Sequence, residues 1–258
     1  MNILFKRTIY LNRIHPFIGK QLIKVITGQR RVGKSFLLFQ LMDEIKKTDK
    51  KASIIYINKE DLAFESIKTG KDLYDYVQKE KSKITKTYLF VDEIQDIDGF
   101  EVGLRSLALD STMDIYCTGS NANLLSGELA TYLSGRYVEI PVYSLSYTEF
   151  MAFHQLNDNA ETIEKYLKFG GLPFLIHLQL EDSIVFEYIK SVYQTILYRD
   201  IIQRHSLRNS RFLEQLVQFL ADNIGSIFSA KKISDYLKSQ AINLASNQVQ
   251  TYIKYLTD

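Results

Sequence analysis

The 258-residue chain has a single cysteine, Cys117, so no internal disulfide can form. That residue sits in an apolar run, where burial is expected rather than reactivity. No apolar run approaches the ~20 residues of a membrane span. The opening MNILFKRTIYLNR lacks the continuous apolar segment of a secretory signal, which makes a cytoplasmic location the default expectation. Acidic residues are absent from the first 35 positions, which hold eight Lys or Arg (Lys6, Arg7, Arg13, Lys20, Lys24, Arg30, Arg31 and Lys34). The whole chain carries only +2, so the remainder is at −6. A basic segment of this kind favours a small polyanion and is weak evidence for nucleic acid.

Hydrophobic residues make up 46% and charged residues 24%, ordinary values for a globular protein with an α/β core and one or two smaller helical units. The informative stretch is Thr27 to Ser35, TGQRRVGKS. Gly28-x-x-x-x-Gly33-Lys34-Ser35 matches the P-loop pattern, preceded by the β-branched run Leu22 to Ile26 and followed by the helical stripe Phe36, Leu37, Leu38, Leu41, Met42, Ile45. Strand, glycine loop and helix stand in the required order. Gly28 and Gly33 allow positive φ and close backbone approach to phosphate oxygens, and the loop amides and helix N-terminus face the anion. The loop residues Gly28, Gln29, Arg30, Arg31, Val32, Gly33, Lys34, Ser35 and Phe36 are therefore the expected nucleotide contacts. Lys34 reaches the β and γ phosphates, and the Ser35 hydroxyl ligates Mg²⁺.

Ser53–Asn58 reads as a second strand and Gly70–Lys81 as a crossover helix. Thr87 to Glu93 is an apolar strand ending in two acids, a Walker B pattern in which Asp92 organises Mg²⁺ and Glu93 orients and deprotonates the attacking water. The alternative is two exposed carboxylates closing a strand. Ligands gather at the carboxyl edge of parallel strands, which favours the first reading when the P-loop is counted too. Phe100–Leu109 is a further helix, and Met113 to Asn121 a strand running into a polar turn. A polar group there holds the attacking water or the γ-phosphate. Ser120 is the first candidate and Asn121 the second, against a mere cap for a helix at Asn123-Leu124-Leu125. Arg136 precedes a last short strand, Tyr137–Pro141, and either stabilises a transferring phosphoryl group in cis or in trans, or pairs with Glu139.

The order GQRRVGKS, LFVDEIQ, CTGSNANLL, LSGRYVEIPVYSLSYTEF and FGGLPFLI resembles the bacterial and archaeal P-loop ATPases of the AAA superfamily that are close to the STAND signalling ATPases. The resemblance runs from about Leu22 to the C-terminus, and its most specific passage is Ser134 to Phe150. It implies an α/β fold with an ASCE-type parallel sheet in which the sensor strand lies between the P-loop strand and the Walker B strand. It also implies ATP and Mg²⁺ as cofactors, with adenine as the base, and a helical lid whose Gly171-x-Pro173 sets Pro173 near the adenine. The other reading of Pro173 is a proline at the first turn of a helix.

Beyond Ser146 the sequence reads as helices: Tyr147–Gln155, Ala160–Phe169, and a long one from about Asp182 to Arg204. Three short helices follow, over Arg211–Asn223, after a Ser229 cap, and after a Ser246 cap, and point to a winged helix-turn-helix. The expected domains are thus a P-loop core over 1–145, a lid over 146–208 and a partial winged helix over 209–258. The chain ends with no residues for wing strands, which predicts a further C-terminal part. The third helix offers Asn247, Gln248, Gln250 and Lys254 outward, so DNA is a possible partner, though phosphate-neutralising charge is scarce. In the resembling family such units more often pack internally and gate nucleotide exchange.

The expected activity is Mg²⁺-dependent ATP hydrolysis, with Lys34, Glu93, Ser120 and Arg136 as catalytic groups, driving a conformational switch. ATP and ADP are the ligands, a protein partner or homo-oligomer is possible, and no membrane is involved. The rivals are a small-molecule kinase, a nucleotide-gated DNA-binding regulator with little hydrolysis, and a protein-interaction switch.

Overall fold

The computed structural model describes residues 5–120, 133, 135–203, 205, 207, 210–242 and 244–257. It divides into two compact units, Met1–Val185 and Phe186–Asp258.

The first unit is built on five parallel strands: β1 (Ile23–Thr27), β2 (Ser53–Asn58), β3 (Thr87–Asp92), β4 (Met113–Gly119) and β5 (Tyr137–Pro141). Their spatial order is β2-β3-β4-β1-β5. The sensor strand β4 therefore lies between the P-loop strand β1 and the Walker B strand β3, as the resemblance implied. The register sets Asn58 beside Asp92 and Thr27 beside both Gly119 and Pro141, so all five strands end along one edge.

Helices cover both faces, which is why the central strands are apolar almost throughout. The period of two along each strand sorts its side chains. Ile23, Val25, Leu89, Val91, Ile115 and Cys117 face a core shared with α3 (Gly70–Glu80) and α4 (Phe100–Leu107). Ile26, Tyr88, Phe90, Tyr116 and Ile140 face a second core against α1 (Thr8–Ile14) and α2 (Lys34–Thr48). Helix α1 escaped the sequence reading, although Tyr10, Leu11 and Ile14 are buried at helical spacing. It is only two turns long and derives its stability from packing rather than propensity.

α3 and α4 cross where both have glycine. A Cβ on Gly103 would stand 2.4 Å from the Gly70 carbonyl oxygen, and one on Gly70 would stand 2.2 Å from the Gly99 carbonyl oxygen. Gly103→Ala is expected to cost roughly 1–3 kcal/mol through overpacking. Thermal unfolding followed by circular dichroism checks this, and an unchanged Tm would show that the helices part freely.

The first unit continues through α5 (Tyr147–His154) and α6 (Ala160–Phe169), where Leu145, Phe150 and Phe153 make a small core. A Ser146/Glu149 capping box starts α5, and Asn159 caps α6. A short 3₁₀ turn, Pro173–His177, has its proline at the first turn.

α7 (Asp182–Thr195) passes into a π-helical stretch, Ile196–Gln203, rather than staying α-helical to Arg204, which lies outside the described residues. The second unit then has α8 (Ser210–Asp222), α9 (Ala230–Ser239) and α10 (Ser246–Thr257). Phe212, Leu216, Phe219, Ile233, Leu237 and Val249 form its core. Ser229 caps α9 through the Lys232 amide, as expected. Ser246 instead opens α10 as its first helical residue, and the Asn247 and Gln248 side chains accept from the Gln248 and Ala245 amides. Two of the four groups offered for base contact are thus engaged at the start of their own helix. Among the described residues no helix is long and apolar enough to cross a membrane.

Candidate nucleotide site

The loop between β1 and α2 has the backbone that its glycines permit. Gly28 has φ 144° and Gly33 φ 96°, and Arg31 also adopts a positive φ of 65°. A Cβ at Gly28 would lie 2.1 Å from the Val142 carbonyl oxygen, so only glycine passes between the loop and the chain leaving β5. α2 begins at Lys34 with no acid in its first turn, and Lys46 and Lys47 stand in its last. Both features suit the helix dipole and leave the N-terminus open to an anion.

Within this loop the side chains diverge. Gln29, Arg31 and Phe36 are exposed, Arg30 is half-buried 3.6 Å from Glu60, and Val32 turns into the core beside α2. Val32 can therefore serve a ligand only through its backbone. Lys34 is buried, and its ammonium donates to the Gly28 and Gln29 carbonyls at 2.9 and 3.1 Å. It also lies 3.9 Å from Glu93 Oε1. Ser35 is the second residue of α2 and half-buried.

Opposite the loop, β3 delivers Asp92 and Glu93, both buried. Asp92 accepts hydrogen bonds from Thr118 Oγ1 on β4 and, at 3.2 Å, from the Tyr56 hydroxyl on β2. Burial, then the Asp92 charge, pushes the Tyr56 hydroxyl well above its ordinary pKa and keeps it a donor. The Glu93 amide donates to Thr118 Oγ1 at 3.0 Å, so one buried threonine orients both acids. Glu93 itself has φ 57°, in the left-handed region, a conformation that costs a non-glycine residue energy and recurs at functional sites. Its Oε2 accepts from Gln95 Nε2 at 2.5 Å and from Ser120 Oγ at 3.0 Å.

Ser120, the first candidate for holding the attacking water or the γ-phosphate, stands just past the end of β4 with its hydroxyl donating to Glu93. Asn121 lies outside the described residues. Thr118, Gln95 and Tyr56 were missed. Thr118 and Tyr56 meet Asp92 only because β4 and β2 flank β3, which no local pattern reveals. Gln95 carried a weak signal, being two residues after Glu93.

Arg136 is not at this edge. It precedes β5, and its carbonyl accepts from the Ile23 amide at the start of β1. Five strand residues at ~3.3 Å each set it roughly 15 Å from the loop edge. Its backbone thus stands at the end of the sheet opposite the phosphate loop, and Glu139, the acid with which pairing was the other expectation, accepts from the Thr27 hydroxyl at 2.8 Å. Pro173 does approach the loop: a Cβ on Gly33 would lie 3.8 Å from its Cγ. Gly171 is held against Leu145, whose amide donates to the Gly171 carbonyl at 2.7 Å.

The basic N-terminal segment is less of a field than its composition implied. Lys6, Arg7, Lys24, Arg30 and Lys34 each lie within 4.0 Å of a carboxylate: Glu44, Glu149, Asp114, Glu60 and Glu93 respectively. Pairing cancels much of their charge at a distance. Cys117 is buried in β4, and desolvation pushes its thiol up to about 12, which makes it chemically inert.

Adenine was expected both from the resemblance and from the absence of a guanine-reading Asn/Thr-Lys-x-Asp motif, but Asn58-Lys59-Glu60-Asp61 spells that lettering, so the resemblance alone favours adenine. The side chains of that stretch are spent on their own turn. Asn58 accepts from the Glu60 amide, Lys59 donates to the Phe64 and Ile67 carbonyls, and Asp61 accepts from the Ala63 amide.

The donors available to a cation here are a hydroxyl and a carboxylate, hard oxygen ligands of the kind Mg²⁺ takes alongside phosphate oxygens and water. Among the described residues no group of three or more His, Cys, Asp or Glu forms a metal cluster. A P-loop ion needs none, because the nucleotide supplies further ligands.

Residues 160–258 match a family described as a domain of unknown function. An uncharacterized protein of Haemophilus influenzae is 34% identical over 259 residues, 98% of this chain and 64% of that protein. Uncharacterized protein MJ1544 of Methanocaldococcus jannaschii is 34% identical over 247 residues, 92% of this chain and 54% of that protein. The chain thus spans less than two thirds of either relative. Among solved structures, AMPPCP-bound DnaA from Aquifex aeolicus aligns with TM-score 0.46 and 14% identity, over 97% of this chain and 87% of that one. ORC1 of Aeropyrum pernix in complex with DNA aligns with TM-score 0.45 and 11% identity, over 100% and 84%. Residues 20–151, slightly more than half of the chain and containing the loop, both acids and Ser120, match the AAA domain family, and the chain belongs to that family.

Proposed function

We propose that this protein is a Mg²⁺-dependent ATPase whose turnover drives a conformational switch. The moving parts are the α/β core over 1–145, a helical lid over 146–208 and the helical unit over 209–258, the last packing as a winged-helix-like module. The observation that carries the reading is the meeting of Lys34, Asp92, Glu93, Thr118 and Ser120 at one edge of the sheet.

Lys34, released from the Gly28 and Gln29 carbonyls, neutralises the β and γ phosphates together with the loop amides. Mg²⁺, when bound by Ser35 and Asp92, supplies further charge neutralisation on the phosphates. Glu93 orients the attacking water and accepts its proton, while Ser120 and Gln95 hold its carboxylate. Thr118 fixes Asp92 and the Glu93 backbone. Pro173 packs beside the loop and closes the adenine side. Arg136 acts on the nucleotide of a neighbouring copy, which makes a homo-oligomer the working form. The STAND-like character of the switch belongs to this proposal.

Phosphate release from ATP and from GTP, with and without Mg²⁺, tests the reading in wild type beside Lys34→Ala. Wild type is expected to hydrolyse ATP in preference to GTP and only with Mg²⁺. Lys34→Ala is expected to lose at least about 100-fold in turnover, the scale of removing one oriented charge at a transferring group. Equal turnover in the two proteins removes the loop from the mechanism.

A further inference from the structure

Residues 1–19 lie outside the AAA match, yet they send a buried guanidinium to the back of the phosphate loop. Arg7 is 4% exposed. Its Nε and Nη2 donate to the two oxygens of Glu149, each at 2.9 Å. Its Nη1 donates to the Val32 and Tyr143 carbonyls, both at 2.9 Å, and Nη2 also reaches the Ser144 carbonyl at 3.4 Å. The guanidinium lies 4.5 Å from the centre of the Tyr10 ring. The Arg7 amide donates to Gln40 on α2, the helix that begins with Lys34 and Ser35.

We propose that Arg7 is a positioning residue for phosphate binding, holding the Val32 peptide so that the Gly33 amide is presented to the anion, and tying the loop to α5 through Glu149. The inference rests on the nucleotide reading given above. A trans peptide points its C=O and N–H in opposite directions, so capture of the Val32 carbonyl by Arg7 fixes the direction of the Gly33 N–H. Without that capture the carbonyl is free to rotate toward the phosphates, where two negative ends meet. The positive φ values of Arg31 and Gly33, on either side of Val32, are those of a backbone nest that gathers amides around an anion. A cationic donor on the carbonyl also polarises the peptide and strengthens its N–H as a donor.

The job requires arginine. Its planar fork serves a bidentate carboxylate on one side and two carbonyls on the other, which the single ammonium of lysine cannot do. Glu149 is correspondingly spent twice, since its Oε2 also accepts from the Ser146 amide that opens α5. Burial alone would raise the Glu149 pKa, but the hydrogen bonds and charge of Arg7 together with the Ser146 hydrogen bonds outweigh it and hold the carboxyl below its ordinary 4.5. It therefore stays charged wherever the loop works near neutral pH. The chain beyond α5 then brings Pro173 to Gly33, so the loop is gripped from both sides by elements that Arg7 connects.

The experiment measures Kd by calorimetry for MgATP and for inorganic tripolyphosphate, which has no base. The proteins are wild type, Arg7→Lys, Arg7→Gln and, as a stability control, Leu104→Ala in the opposite core, all held well below their own Tm. Both Arg7 variants are expected to bind MgATP about 10- to 100-fold more weakly, the scale seen when a group that orients a ligand contact is lost. Tripolyphosphate affinity should fall by the same factor, while Leu104→Ala keeps wild-type affinity despite its lower Tm. Wild-type affinity in Arg7→Lys, a fall for MgATP without one for tripolyphosphate, or an equal fall in Leu104→Ala overturns the proposal. Failure of wild type itself to bind either ligand overturns the nucleotide reading as well, and the wild-type arm separates the two cases.

Discussion

Glu93→Gln is expected to lower ATP turnover by roughly 10²–10⁴-fold, the range for losing a positioned general base, while ATP binding survives. Glutamine keeps the shape and can still hydrogen-bond Ser120, but its amide cannot take a proton from water. Its neighbours make the assignment specific. Glu93 is held in the left-handed region by the Thr118 bond to its amide, and its carboxylate is fixed by Gln95 and Ser120. Single-turnover phosphate release separates chemistry from product release, and a fluorescent ATP analogue reads affinity. Unchanged turnover would move the base to another residue; lost binding would mean that Glu93 serves the fold.

Asp114→Asn is expected to be the most damaging polar substitution in the first unit. Lys24 and Asp114 form a fully buried ion pair at the end of the sheet away from the phosphate loop. The Asp114 carboxylate also accepts from the Gly19 amide at 2.7 Å and the Tyr116 hydroxyl at 3.0 Å. Burial lowers the Lys24 pKa, and the Asp114 charge and hydrogen bond oppose that shift. Removing the carboxylate charge strands a buried cation, which costs about 3–5 kcal/mol. For a unit of this size that is a Tm lower by roughly 6–20 °C. The double variant Lys24→Met/Asp114→Leu should recover much of the loss, because an apolar pair of similar volume avoids the desolvation of both charges. Calorimetric unfolding of the two variants checks this; equal Tm values in both would mean that the pair is not coupled.

Lys24 also shows the limit of composition. By count it belonged to a basic segment facing a polyanion; in the fold it is neutralised by an acid ninety residues later, as Arg7 is by Glu149. Sequence proximity to a phosphate loop says nothing about which way a long side chain points. Arg136 makes the same case in reverse. Its nearness in sequence to β5 was legible, but the parallel register sends it to the end of the sheet opposite the phosphate loop.

What the amino-acid order determined by itself was local, and it did not include helix α1 or the start of the last helix, where Ser246 is not the cap. The strand, glycine loop and helix around Gly28 to Ser35, the acids closing β3, the caps at Ser146 and Ser229, and the alternation that makes a two-sided sheet all follow from residues within a few positions of each other. These depend on φ preference, side-chain period and short-range hydrogen bonds. What only the tertiary structure decided was which distant residues meet at the candidate site: Thr118 on Asp92, Ser120 on Glu93, Pro173 beside Gly33, and Arg7 behind Val32. Those contacts depend on strand order and on which helix covers which face. Both are settled by burial of apolar surface summed over the whole unit, a sum to which no single stretch of sequence contributes enough to be read alone.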